Sequence, residues 1–343
     1  MMDNRAKIRT PNVSVIIPTH NRAELLSSAL TSVLNQSYQD FEIVVVDDAS
    51  TDKTREVIAS FNDARIKYVR HEVNKGDAGS RNTGIQNSTG DFIAFLDDDD
   101  EWLPEKLQIQ VDVLRSCPTN VGGVYTGWLK IDKSTGEILE IKLDGKHGDL
   151  FQEMFLENLM STACVVVRRE CFERVGLFDE SMPCSSDYDM WIRIAAHFHF
   201  EYIKEPLVIL YYAQGPKLST NVPSALQGLE MVLEKYDKCF VANKKNFSRL
   251  YYNMGILYFL SGESEKSRKA LLKAIESCPL GVKHYLALLI SLLGSDVLRR
   301  SIGLKEKISA PLRNRKISQE VRRVANSSVI PTVRLICRSR LTQ

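Results

Sequence analysis

The sequence predicts an α/β fold: a mostly parallel sheet sandwiched by helices, with an α-helical carboxyl-terminal region. Three observations carry that expectation. Strand-like and helix-like segments alternate from residue 13 to residue 115. The strand segments are almost continuously apolar, as strands covered on both faces must be. Strand signals then fade after residue 224, where helical spacing takes over.

Val13-Ser14-Val15-Ile16-Ile17 reads as a first buried strand ended by Pro18, with Thr19-His20-Asn21 as its turn. Arg22 to Gln36 places Leu25, Leu26, Ala29, Leu30, Val33 and Leu34 at helical spacing. Phe41 to Val46 is a second strand stopped by Asp47-Asp48, and Ser50-Thr51-Asp52 supplies N-cap chemistry for a helix through Phe61. Ile66 to Val69 is a short third strand, 74–79 a turn, 80–88 a helix and 91–96 a fourth strand. Beyond it the pattern predicts helices at 105–115, 149–158, 168–176 and 187–197, and strands at 121–132, 137–143, 163–167 and 207–212. Pro216 to Pro223 resembles a loop leaving the sheet domain. Leu250, Gly255, Tyr258, Gly262, Ala270, Ala274 and Pro279 fit one tetratricopeptide-like helix pair, read as a cap or oligomerisation element or as a binding surface. The expected division is 11–220 for the α/β domain, 224–300 for the helical region and 301–343 for a basic, flexible tail.

The run Asp97-Asp98-Asp99-Asp100-Glu101 follows the apolar strand Phe92 to Leu96. Carboxylates this close repel one another and are costly to desolvate without a partner. A divalent cation relieves both costs, and oxygen ligands at a strand end suit Mg²⁺ or Mn²⁺ with a phosphate-bearing substrate.

The net charge of +2 conceals an uneven distribution, since residues 296–343 alone carry 12 Lys and Arg against 3 Asp and Glu. An acidic body with a basic tail points to an anionic surface as the tail's partner. No nucleic-acid partner is expected, because no reading module accompanies the basic residues. Seven cysteines without a Cys-x-x-Cys fit a reducing, cytoplasmic compartment. Met1 to Thr10 is polar, with no apolar core of signal-peptide length. No uncharged apolar run reaches the ~20 residues that span a bilayer. Tyr285 to Leu293 is the nearest, and lies at best in an interface, so peripheral contact at the inner face of the cell membrane is the expectation.

Val13 to Arg22, Val45 to Asp52 and Phe95 to Pro104, with Asn74-x-Gly76, Arg81-Asn82, Gly176 to Glu180 and Asp187 to Arg193, occur in the order and spacing of a known set. Together they resemble the family 2 glycosyltransferases, the large inverting group with the Rossmann-like GT-A fold, over residues 11–220. The resemblance implies transfer of a sugar from a nucleotide-diphosphate donor to a carbohydrate or lipid-linked acceptor, in bacterial polysaccharide or glycolipid assembly.

On that resemblance Pro18, Thr19 and Asn21 shape the nucleotide pocket. Asp48, or else Asp47, accepts a hydrogen bond from the base, which favours a pyrimidine and hence a UDP-sugar. Arg81 meets the diphosphate, for which a guanidinium is apt. Asp97 and Asp99 match the two acids of the family's Asp-x-Asp motif: Asp99 as metal ligand for Mn²⁺ or Mg²⁺, Asp97 on the sugar or the metal, and Asp98 beside them toward the donor. Asp98 and Asp100 leave that register ambiguous by one residue. Asp187 is the expected general base, with Asp189 a rival that instead orients Arg193. Trp102 and Trp191 are core, pocket wall or sugar-stacking platforms. Gln214 stands where many relatives carry a metal-binding His, and His197-x-His199 reads as a strand edge rather than a zinc pair. Two other functions stay open. One is a sugar-1-phosphate nucleotidyltransferase, against which Pro18 to Asn21 lacks a Gly-rich phosphate loop. The other is a non-catalytic helical scaffold, disfavoured by the intact Asp99 and Asp187.

Overall fold

The computed structural model describes residues 12–212, 222–242, 244–293 and 317–339. Gln214 and the 216–223 loop fall wholly or largely outside them.

The first half alternates as its apolar runs dictate: β1 (Val13–Thr19), α1 (Ala23–Leu34), β2 (Phe41–Asp47), α2 (Thr54–Ser60), β3 (Ile66–Arg70), α3 (Gly76–Gln86) and β4 (Phe92–Phe95). Next come β5 (Glu101–Trp102), α4 (Lys106–Ser116), β6 (Val121–Asp132), β7 (Ile138–Lys142), α5 (Phe151–Met154), β8 (Val165–Arg168), α6 (Arg169–Val175), α7 (Ser186–Ala195) and β9 (His199–Tyr212). They build one nine-stranded sheet in the order β3-β2-β1-β4-β8-β6-β9-β5, with β7 on β6. The β3-β2-β1-β4 half is parallel, whereas β8 runs antiparallel to both β4 and β6. Beyond β6 the pairing is mixed, parallel to β9 and antiparallel to β7.

Alternation along the strands sorts the core into two layers. Val13, Val15, Ile17, Ile43 and Val45 pack on Leu26, Leu30 and Val33 of α1, Ile58 of α2 and Leu107, Val111 and Leu114 of α4. Ile16, Ile93 and Phe95 face the opposite way, toward α3, α6 and α7. Removing each such Leu or Ile from water is worth roughly 1.5–3 kcal/mol, so packing rather than helix propensity fixes these helices. A Cβ on Gly84 would stand 2.3 Å from Ile16, so glycine there lets α3 lie close on the sheet.

The helical region consists of α8 (Val222–Lys235), α9 (Asp237–Ala242), α10 (Lys244–Leu260), α11 (Ser264–Ser277) and α12 (Val282–Leu293). Leu226, Val232, Leu250, Met254 and Ala270 join the same apolar cluster as Trp191, so α8, α10 and α11 continue the layer built on α7.

Residues 317–327, here α13, and Pro331–Ser339, α14, are helices in a stretch whose sequence shows only weak periodicity. Val321, Val324, Ala325, Val333 and Cys337 bury against Leu129, Ile131, Leu207 and Ile209 at the β6-β9 edge. That apolar partner comes from far along the chain, which is why the local sequence does not announce it. Elsewhere the expected 149–158 helix is confined to Phe151–Met154, and β9 begins at His199 rather than 207 because β6 pairs along its whole length.

Candidate functional site

The carboxyl ends of β1, β2 and β4 share one edge of the sheet, where ligands of open α/β sheets bind. Thr19 lies in register with Asp47, and Ile16 with Phe95. The turns 19–22, 47–52 and 96–100 therefore leave side by side.

Pro18 is a buried residue of β1, while His20 and Asn21 stand exposed at the mouth. Asn21 adopts a left-handed φ of 54°, which Asn tolerates better than most residues. Its side-chain oxygen accepts the Thr51 N–H at 2.7 Å, and Ser50 Oγ accepts the Asn21 N–H, stitching the first two turns together. Asp47 is buried and accepts from Ser50 N at 2.8 Å and from the Tyr68 hydroxyl at 2.6 Å. Asp48 is also buried: Lys75 N and Gly76 N donate to its two oxygens at 2.8 Å each, and His71 Nδ1 stands 2.7 Å away. Asp48 thus caps α3, which starts at Gly76 rather than near 80 because this carboxylate satisfies its first N–H groups.

In the acidic turn the four aspartates divide by alternation. Asp98 and Asp100 are buried, whereas Asp97 and Asp99 are partly exposed. Thr19 Oγ1 donates to Asp98 at 2.7 Å and Arg22 at 3.0 Å, so Asp98, expected toward the donor, ties β1 to the acidic turn. Burial pushes its carboxyl up to about 6, against the pull of Arg22. Asp100 accepts the Tyr211 N–H of β9. Arg22 reaches Asp99 at 3.7 Å.

Arg81, on α3, joins the segments. Nearly all of it is buried; it pairs with Asp77 one turn earlier at 2.5 Å and with Asp97 at 2.9 Å. Burial alone would lower its pKa, but the fields of Asp77, Asp97 and Asp187 raise it. Asp77 itself is pushed up to about 6, by desolvation first and by Asp97 and Asp187 after it, with Arg81 opposing. Asp187 stands in the first turn of α7, following Ser185 at φ 64°, and accepts from Asn158 at 3.2 Å and Thr162 at 3.4 Å. One residue past Arg81, Asn82 exchanges hydrogen bonds with the Phe178 backbone and donates to Glu180.

The structure therefore brings Arg81, Asp97 and Asp187 into one electrostatic cluster, with Asp48 at the amino-terminal end of the helix that carries Arg81. Sequence reasoning missed Arg22, His71 and Asp77, none of which carries a local signal beyond charge. Asp189 holds Arg193 at 2.9 Å, as its i,i+4 spacing implies. Trp102 and Trp191 are buried core, and His199 opens β9 as a strand edge. Among the described residues no three His, Cys, Asp or Glu side chains group closely enough to hold a metal ion by themselves. The outward pair Asp97 and Asp99 offers hard oxygens, which fit Mn²⁺ or Mg²⁺ only if further oxygens come from a substrate.

Residues 14–176 match the model for glycosyl transferase family 2. The chain is 32% identical over 204 residues to the amylovoran biosynthesis glycosyltransferase AmsB of Erwinia amylovora, covering 57% of this chain and 67% of that protein. The chain belongs to glycosyltransferase family 2. It is 33% identical over 188 residues to an uncharacterized glycosyltransferase of Rickettsia typhi, covering 54% of this chain and 58% of that one, so it spans only part of that relative's length. Over 123 residues it is 44% identical to the Escherichia coli UDP-Glc:alpha-D-GlcNAc-diphosphoundecaprenol beta-1,3-glucosyltransferase WfgD, covering 36% of this chain and 48% of WfgD. Two solved structures share the GT-A fold. Staphylococcus aureus TarS 1–349 with UDP-GlcNAc superposes with a TM-score of 0.54 at 16% identity, over 78% of this family 2 chain and 89% of the other. The Pyrobaculum calidifontis mannosyltransferase PcManGT with GDP-Man and Mn²⁺ superposes with a TM-score of 0.54 at 21% identity, over 90% and 88%.

Proposed function

We propose that this family 2 glycosyltransferase moves a hexose from a UDP-sugar to a carbohydrate or lipid-linked acceptor hydroxyl, inverting the anomeric centre. The observation that carries the reading is Arg81 held between Asp77 and Asp97 in the field of Asp187, a buried cation with a further carboxylate close by. The UDP-GlcNAc held by TarS and the UDP-Glc in WfgD's name favour a uridine donor, and WfgD's diphosphoundecaprenol acceptor favours a lipid-linked one.

In this reading Pro18, Thr19 and Asn21 border the nucleotide, with Asp47 and Asp48 shaping the turn beneath it. Asp187 takes the proton of the acceptor hydroxyl as its oxygen attacks the anomeric carbon. The new C–O bond forms as the bond to the diphosphate breaks, and the diphosphate leaves with the electron pair. Arg81 exchanges a carboxylate partner for that diphosphate, stabilising its charge where stabilisation matters most. Asp99, with Asp97, would hold Mn²⁺ or Mg²⁺, which when bound neutralises charge on the leaving group.

No helix among the described residues is long and apolar enough to cross a membrane. Peripheral contact at the inner face of the membrane, through α12 and the basic residues after it, is part of the same reading.

The test is a screen of UDP-, GDP-, CDP- and dTDP-sugars read by released nucleoside diphosphate, with Asp187→Asn alongside. The expected result is uridine-selective release that Asp187→Asn abolishes without weakening UDP binding. Pyrophosphate released from a nucleoside triphosphate and a sugar 1-phosphate would establish nucleotidyl transfer instead.

A further inference from the structure

Two residues beyond Asp187, Asp189 is fully buried on α7. A carboxylate with no access to water is tolerated only when charged or strong donors surround it, since its desolvation costs several kcal/mol. Only one of its donors is local, Arg193 at 2.9 Å. The others come from the helical region: Lys235 Nζ at 2.8 Å, on the last residue of α8, and the Tyr236 hydroxyl at 2.8 Å, on the residue after it.

Lys235 also reaches Asp179 at 3.1 Å, in the segment that Asn82 holds beside Arg81. Arg193 donates onward to the carbonyls of Val175 and Leu177, which lead into that segment. Higher on α8, a Cβ on Gly228 would stand 2.5 Å from the Cys184 carbonyl, so this helix lies directly on the turn that delivers Asp187. The Tyr236 ring packs edge-on against Phe155, next to Met154, whose carbonyl accepts the Tyr188 hydroxyl. Lys235, Tyr236 and Gly228 thus bring α8 and the residue after it against α7 and the turn before it, from a part of the chain beyond the residues matched to the family model.

We propose that Lys235, Tyr236 and Gly228 are positioning residues for the transfer reaction, setting the angle at which α7 presents Asp187. The helical region is then part of the catalytic unit rather than an appended module. The inference rests on Asp187 being the base.

The experiment compares full-length Lys235→Met, Tyr236→Phe and Lys235→Arg with the unaltered chain, measuring transfer kcat, donor KM, UDP binding by calorimetry and thermal melting. The expected result is a fall in kcat of about tenfold in the first two, with donor KM and UDP binding within about twofold, and recovery in Lys235→Arg. A kcat within twofold of the unaltered chain, or a loss shared equally by kcat, KM and UDP binding, overturns the proposal. Should Lys235→Met fail to fold, Gly228→Ala presses on the same turn without touching Asp189, and its kcat decides by the same criteria. Asp187→Asn, run in parallel, separates the two ideas. If it abolishes transfer while the α8 variants are unaffected, the base stands and the positioning role falls; if it is fully active, the base assignment itself falls.

Discussion

Arg81 meets Asp97 at 2.9 Å while Asp77 occupies the other edge of the same guanidinium at 2.5 Å. A cation buried among carboxylates is pre-charged for an anionic ligand but not vacant for it. A diphosphate must displace one of them, and Asp77 is the candidate, because burial raises its carboxyl to about 6 and so makes it readily neutralised.

Asp77→Asn is therefore expected to tighten donor binding several-fold, read as a lower KM for the donor or a lower Kd for UDP. The pH dependence has a definite sign. Asp77 is raised to about 6, so below that pH it is neutral and competes weakly for Arg81. As pH rises through 6 it ionises, clamps Arg81 and weakens donor affinity. Asp77→Asn should flatten that limb; a variant that binds UDP more weakly than the unaltered chain removes the competition argument.

Asp99→Ala tests the outward pair of the acidic turn. Asp98 and Asp100 are bound inward by Thr19, Arg22 and Tyr211, so losing Asp99 disturbs the fold little. Activity of the unaltered chain is expected to vanish in EDTA and return with Mn²⁺ or Mg²⁺, and Asp99→Ala to lose at least about a hundredfold while melting normally. Calorimetric Mn²⁺ binding in the presence of UDP gives a second readout. Undiminished activity and Mn²⁺ binding in the variant would place the metal elsewhere.

Much of this was legible in the residues, and what was not has identifiable physical causes. Strands β1, β2 and β4 announce themselves because their apolar runs end in Pro18, Asp47 and Asp97, local punctuation that needs no tertiary information. The start of α3 was displaced because its cap is Asp48, a residue from another strand end. Helices α13 and α14 were hidden because their apolar positions are sparse in a basic stretch and their partners, Leu129 and Leu207, are remote. At the site, four consecutive aspartates look alike in sequence, and only the turn's direction separates the outward 97 and 99 from the inward 98 and 100. The Arg193 partner of Asp189 could be read from i,i+4 spacing, but Lys235 and Tyr236 could not, since nothing local brings α8 onto α7.

Lys106 offers a stability test remote from the acceptor chemistry. It is fully buried, its Nζ has no hydrogen-bond partner among the described residues and lies 3.8 Å from the centre of the Trp102 ring, and burial drives its pKa down to about 7. Between pH 7 and the ordinary lysine value the unfolded chain binds more protons than the folded one, so stability rises with pH across that window; below 7 the folded state carries the full cost of a buried charge. Lys106→Met keeps the apolar stem and removes the charge. At pH 7 it is expected to stabilise by on the order of 1–2 kcal/mol, raising Tm by a few degrees and abolishing the alkaline rise. A lower Tm would mean that the contact with Trp102 outweighs desolvation.

The last prediction concerns α12. Val282, Tyr285, Leu286, Leu289 and Leu292 are all exposed and recur at helical spacing along one stripe. The helix contains no acidic residue, and the 48 residues from 296 onward carry a net charge of +9. An anionic bilayer matches both features: the stripe enters the acyl boundary, and each Lys or Arg near the surface adds about 1 kcal/mol. The full chain is expected to float with vesicles of 70% phosphatidylcholine and 30% phosphatidylglycerol, to do so less at 0.5 M NaCl, and to lose flotation in Leu286→Glu/Leu289→Glu with the melting temperature unchanged. A protein docking on the stripe, including a second copy, predicts otherwise: the double substitution would change the oligomeric state seen by light scattering and leave flotation intact.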